Sequence, residues 1–417
     1  MIIDANTTES NYVALSGTSW THNLFTLRFK NSASSSTPIN VNLTNSLNVY
    51  SGSSVQKQYI YFDDTTYNLS APNINIGNEV ATATSTFTVS KGATVDWKSG
   101  ATMTIGASGI VNIDGSLKAS GTINFSLAGA TMNIADGASL LYTAAKSFTM
   151  AAGTTLNIGK NSNITFVAGN QITLNGTVNS ASALSFMLIN ASTGTLNQTA
   201  GGVTFQRGAT FNSGADINIY EKITLRGGDA TEARMAKLTV NDGAAITISH
   251  ANNYRIIFQS NNDLVLNTVN AIKNQNDGGV ILVTYSGSVN NRIHINADQI
   301  FERVYVNNSD LSLYLNNGAV AVFNPTDSNS SFGTSGTAFL KVFNFEEDSL
   351  YFAYSESVAA AVGEHVKLYS GDTEESFIGM GILGTDGWLT ASIPEPSTYA
   401  AIFGAIALGL AAYRRRK

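Results

Sequence analysis

Acid–base and nucleophilic chemistry needs carboxylates, imidazoles or cationic groups gathered at fixed spacing, and few places in this chain offer them. Arg207, Arg226, Asp229, Glu232 and Arg234 crowd one stretch. Asp114 and Asp136 stand 22 residues apart, and four histidines (His22, His250, His294, His365) are scattered. Cleaving a polysaccharide takes two acids, or a Lys/Arg base with metal-binding acids, converging on one face. Residues 207–234 are therefore where a carbohydrate-active cleft would be sought, although exposed charges of both signs this close also pair as ordinary surface salt bridges. Asp114 and Asp136 each precede glycine, as does Asp242. Asp-Gly is common turn chemistry; a calcium-binding or catalytic pair, stacked one coil apart, is the alternative. The histidines form no His-Glu-x-x-His and no adjacent ligand pair, so each reads as a surface or strand-face residue. There is no Gly-x-Ser-x-Gly elbow, no Walker loop and no calcium-binding Gly-Gly-x-Gly-x-Asp repeat. The chain has no cysteine, which excludes disulfides, thiol catalysis and cysteine-held metal. No catalytic, cofactor-binding or metal-binding residue is assigned, and no cofactor is expected.

The elements that would have to position any such residue are short strands. From Gly92 to Ser180 large apolar residues recur two apart (Val95/Trp97, Met103/Ile105, Met132/Ile134, Leu156/Ile158) with Thr, Asn or Asp between them. That is period-2 alternation, the mark of strands with one buried face. Every third rung returns after a nearly constant interval: 23 residues from Gly92 to Gly115, 22 from Gly115 to Gly137, 24 from Gly137 to Asn161. Periods of roughly 20–50 residues mark stacked repeat architectures. The fold expected is all-β: a right-handed parallel β-helix, or β-solenoid, with three strands per coil. An antiparallel sandwich is the alternative, because its strands also recur every 8–12 residues or so.

Composition agrees with stacked, weakly charged coils. Only 12% of the 417 residues are charged, against roughly 25% in an ordinary soluble protein, and Thr, Asn and Ser take the exposed strand positions. The net charge is -6 with no basic stripe before the last residues; nucleic acid, which demands clustered Lys and Arg, is not an expected partner. The organisation expected is an N-terminal β segment of early coils or a cap (1–72), the β-helix (73–325), a polar linker (326–338) and a small β module (339–392). In the last of these, nine acids face two bases, and the module is either a separate domain or the C-terminal cap of the solenoid. Two polar insertions, 226–237 and 273–279, fall in the less regular half, where solenoids often place binding loops.

The chain closes on Ile393-Pro-Glu-Pro-Ser-Thr-Tyr399, an almost wholly apolar run to Ala412, and Tyr413-Arg-Arg-Arg-Lys417. A C-terminal hydrophobic helix over 399–413 would be shorter than the roughly 20 residues of a comfortable span, and the Arg414, Arg415, Arg416, Lys417 cluster would stay in the cytoplasm. Pro-Glu-Pro, apolar segment and Arg cluster, in that order at the terminus, closely resemble the PEP-CTERM sorting signal of Gram-negative envelope proteins. The resemblance implies an exosortase-type sorting enzyme as partner, cleavage near Pro394, Glu395 and Pro396, and transient anchoring in the inner membrane. Release to the cell surface or extracellular matrix would follow. A permanent tail anchor is the alternative. The first residues have neither a basic nor an apolar region, so an exported chain is expected to begin upstream of Met1. The solenoid is similar to autotransporter passengers and to the shape of pectate-lyase-type enzymes, but no set of amphipathic membrane strands follows it. The function expected is a non-enzymatic, exported surface or matrix solenoid, structural or adhesive, with extracellular polysaccharide as partner. A carbohydrate-active enzyme, lyase or hydrolase, with its site around Arg207 to Arg234, is the second reading.

Overall fold

A strand with large side chains on one face and Thr or Asn on the other must cover the first face, and here the coils above and below do so around a shared interior. The computed structural model describes residues 2–4, 12–15, 26–30, 38–43, 46–49, 57–77, 83–98, 101–228, 235–285, 287–325 and 329–392. One sheet stacks 12 strands, from Ile2–Asp4 to Ile272–Asn274, and a second stacks seven, from Tyr12–Leu15 to Asn163–Thr165. Pairing within both is parallel throughout. A third sheet starts at Leu47–Val49 and continues to the end of the stack. Between Gly109–Ile113 and its partner Thr131–Ile134 in the first sheet lie Ser116–Ala119 of the second and Thr122–Phe125 of the third. The chain is an all-β parallel solenoid. Its N-terminal strands, Thr26–Lys30 and Ile39–Leu43, are already coils of the same stack.

The alternation carries through to burial. Val95, Trp97, Met103, Ile105, Met132 and Leu156 all point inward and are buried, joined by Tyr67, Phe87, Phe125, Tyr142 and Phe148. Each large side chain so buried contributes about 1.5–3 kcal/mol. Like residues meet coil over coil, as Phe29 and Phe62 do with ring centroids 4.9 Å apart and planes 7° from parallel. The Trp97 indole N–H, which must find a partner when buried, donates to the Ala71 carbonyl at 2.9 Å.

The rung spacing drifts after Gly201 for a structural reason. Leu184–Ser192 is a single nine-residue strand that runs through what had been a corner. Its two halves pair separately with those of Val203–Phe211, with a register shift between Phe186 and Leu188. From there the third sheet carries two files of strands side by side, one through Lys222–Arg226 and Arg255–Ser260, the other through Ala236–Val240 and Asn262–Leu266.

The C-terminal end departs from the expected linker. Phe332–Ser335, within the stretch read as linker, is a strand paired in parallel with Arg303–Asn307. Leu340–Phe343 and Val366–Tyr369 continue the same stack. Only then does pairing turn antiparallel, through Phe377–Leu383 and Leu389–Ala391. A helix, Glu356–His365, packs there with Val358 and Val362 buried, and the Ser355 hydroxyl accepts from the Val358 N–H at 3.2 Å as its N-cap. Among the described residues no helix is long and apolar enough to cross a membrane. The sorting motif Pro394, Glu395, Pro396, the segment 399–413 and the cluster Arg414 to Lys417 lie outside the described residues.

Candidate functional site

Three kinds of outward-facing row run along the stack. On the first sheet, Thr131, Thr155, Thr177 and Thr195 stand in register, with Asn133, Asn157, Asn179 and Asn197 in the file beside them. Each Asn side chain donates to the one a coil below: Asn133 to Asn112 at 2.9 Å, Asn157 to Asn133 at 2.8 Å, Asn179 to Asn157 at 2.9 Å, Asn197 to Asn179 and Asn218 to Asn197 at 3.2 Å. A primary amide has two donors and two lone pairs, so every rung keeps one of each for a ligand. The Thr155, Thr177 and Thr195 hydroxyls make no hydrogen bond among the described residues. From Thr131 to Asn197 this face is polar, uncharged and held rigid by its own ladder.

The outer face of the third sheet in the C-terminal half is chemically richer. Its first row is charged: Lys237, Asp263, Arg292, Ser312 and Lys341 stand in register. Asp263 is only 6% exposed. One of its carboxylate oxygens lies 3.1 Å from His294 Nε2, out of line for a full hydrogen bond, and the other lies 3.8 Å from Arg292 Nη2. Further along, Lys341 bridges Asp310 at 3.2 Å and Glu374 at 2.7 Å. Burial by itself lowers the Lys341 pKa, but the hydrogen bonds to Glu374 and Asp310 outweigh it and hold the ammonium above its ordinary value.

The second row of this face is a ring stack. His294 lies on Tyr314 and Tyr314 on Phe343, each at 4.6 Å and 12°, and Phe343 on Tyr369 at 4.5 Å and 16°. Rings stacked this closely cover one another's faces, so they offer a ligand edges and hydroxyls rather than a platform. Burial raises the Tyr314 pKa, with Asp263 and Asp372 adding to it and Arg292 and Lys341 pulling back. The third row is a second amide ladder, from Asn344 through Asn316, Asn296, Asn267 and Asn241 to Asn212, with contacts of 3.0, 2.8, 2.6, 2.8 and 2.7 Å. Lys237, Asp263, Arg292, His294, Asn296 and Asn316 line an open groove of about 380 Å³.

Among the described residues, those singled out from sequence are not brought together. Asp229, Glu232, Arg234 and His22 lie outside the described residues. Arg207 lines a separate groove with Asn170, Gln171, Met187, Leu188 and Met235, and no carboxylate is among its described lining residues. Arg226 ends its strand opposite Ser260. Asp114 and Asp136 do not stack: Ile113 pairs with Ile134, which sets Asp114 beside Ala135 and Asp136 one step on, because that coil returns after 21 residues and not 22. Asp136 instead accepts from the Lys160 N–H at 2.8 Å, and Asp242 from the Thr268 hydroxyl at 3.3 Å. His250 packs edge-on to Tyr220, and His365 lies 3.0 Å from the Ala338 carbonyl. Among the described residues no three His, Asp or Glu side chains gather as a metal site. Fixed periods do not reveal the Asp263 groove, because the coils there vary in length. A usable signal was present: Asn241, Asn267, Asn296, Asn316 and Asn344 each directly follow an alternating strand.

No protein-family model and no curated protein matches the chain. Among solved structures, it is similar to the TibC-catalysed hyper-glycosylated TibA fragment. Their identity is 15%, the alignment covers 70% of this chain and 97% of that one, and the TM-score is 0.22. At that score the likeness supports no inference, and the architecture rests on the strand pairings themselves.

Proposed function

We propose that this chain is an exported, non-enzymatic surface or extracellular-matrix protein whose solenoid associates with polysaccharide through its outer rows. The finer architecture of this reading is a right-handed helix with three strands per coil, the hand that parallel crossovers take in about 98% of cases. The carrying observation is the bulge-free register of Thr131, Thr155, Thr177 and Thr195 beside the asparagine ladder. A rigid row of hydroxyls and half-used amides, repeated at the roughly 4.8 Å strand spacing, suits a long hydroxylated polymer and loses little entropy in binding it. Delivery is assigned to the PEP-CTERM-like tail: a sorting enzyme of the exosortase type acts at Pro394, Glu395 and Pro396, and the inner membrane holds 399–413 until it does. The test is a glycan array probed with purified protein, alongside intact mass and location in the native host. Binding to polysaccharide and a surface product ending near Pro396 are expected. No bound glycan, together with unchanged biofilm on deletion, overturns the reading.

A further inference from the structure

The outer rows of the first sheet carry no charge from Thr131 to Asn197, but the Asp263 groove does, and its hydrogen bonding is incomplete. Asp263 lies in the wall of the groove with one carboxylate oxygen buried and no donor aligned on it among the described residues. Arg292 is about a third exposed; its Nε has no partner among the described residues, and its Nη2 donates to the Met235 sulfur at 3.1 Å. A thioether is a weak acceptor, while guanidinium offers five donors shaped for a planar oxyanion. Lys237 and Arg292 flank the single carboxylate of Asp263 in register, which gives these three residues one positive charge in excess. Two coils on, Lys341 meets two acids, Asp310 and Glu374, in the wall of a separate groove.

We propose that this groove is a subsite for a carboxylated sugar unit, a hexuronate within an acidic glycan; the proposal rests on the polysaccharide reading above. The sugar carboxylate sits on Arg292 and Lys237, away from Asp310 and Glu374. The amides of Asn296 and Asn316 take neighbouring ring hydroxyls. Charge-assisted contacts of this kind are the stronger class of hydrogen bond, and the partly exposed site makes them sensitive to salt.

The test is calorimetric titration of the full chain with tetramers of galacturonate, glucuronate, mannuronate and guluronate, each beside its methyl-esterified, uncharged form. At least one acid tetramer should bind at least tenfold more tightly than its ester, and added salt should weaken it. Arg292→Gln and Lys237→Gln, both outward-facing changes, should each weaken that binding about tenfold while melting like the wild type. Equal affinity for acid and ester, or an Arg292→Gln and Lys237→Gln pair indistinguishable from wild type, overturns the subsite. If neutral glycans bind on the array and none of the four acid tetramers does, the subsite fails and the polysaccharide reading stands. If nothing binds in either assay the subsite falls, and with biofilm unchanged on deletion the polysaccharide reading falls with it.

Discussion

Single side chains in this protein are set by what the neighbouring coil places against them. Tyr142 lies inside the stack, its ring against Phe166 at 5.3 Å and edge-on to Phe148, and its hydroxyl has no aligned partner. Burial therefore raises its pKa well above the ordinary tyrosine value, and the Ile123 backbone offsets only part of that. Replacing it with Phe keeps the ring and removes a desolvated oxygen, so Tyr142→Phe should be neutral or more stable by about 1 kcal/mol in urea titration. Tyr142, Tyr314, Tyr369 and Lys341 all have folded-state pKa values above their unfolded ones. For such groups the stabilisation is complete below the unfolded value, about pH 10, and is lost as the pH rises through the folded one. Melting temperature should therefore fall steeply above about pH 10, and less so in Tyr142→Phe. The candidate site was only partly legible at this scale. Thr and Asn rows follow from the alternation, but the meeting of Asp263 with Arg292 and His294 depends on coil lengths of 29 residues that no fixed period forecasts.

Strands, turns and caps show where local pattern suffices and where it does not. Alternation alone places Val95 with Trp97 and Met132 with Ile134 on the inner face, and the register of the regular coils keeps them there. The strand Leu184–Ser192 was harder to foresee, since nothing in its composition announces that it passes through a corner. The helix Glu356–His365 had its own signal, a Ser-Glu start and an alanine-rich run, masked by the strands on either side. Glycines divide by mechanism. Gly137 sits at a positive φ of 75° with open space around its Cα, whereas a methyl on Gly194 would collide with the Gly176 carbonyl oxygen of the previous coil. At the first position alanine meets backbone strain of about 1–2 kcal/mol. At the second, two coils must separate, and core overpacking of this sort typically costs 1–3 kcal/mol or more. Gly194→Ala should therefore lower stability by at least about 2 kcal/mol, and hydrogen exchange should quicken in Thr177–Ser180 and Thr195–Gln198 together. Exchange confined to residue 194 and its chain neighbours would contradict this account.

For the molecule as a whole, the two ends matter more than the middle. Stacked coils present an open strand edge wherever the stack stops, and such edges template further pairing. Here the Val366–Tyr369 edge is covered by the antiparallel Phe377–Leu383, with Leu389–Ala391 beyond it. A chain lacking 366–392 would bare Leu340–Phe343, and with 12% charged residues little repulsion opposes association. It should form large assemblies by light scattering at concentrations where the full chain does not. The parallel pairing has one more consequence, which is mechanical. Backbone hydrogen bonds and both amide ladders point along the long axis, so tension between the two ends loads them lengthwise and successively, like a zip, instead of shearing many at once. Each coil that opens pays out roughly 60–90 Å of chain before the next is stressed. A protein tethered at one end and attached to a polymer along its side would yield in small sawtooth steps under an optical trap, absorbing a pull by lengthening while most of its coils stay intact.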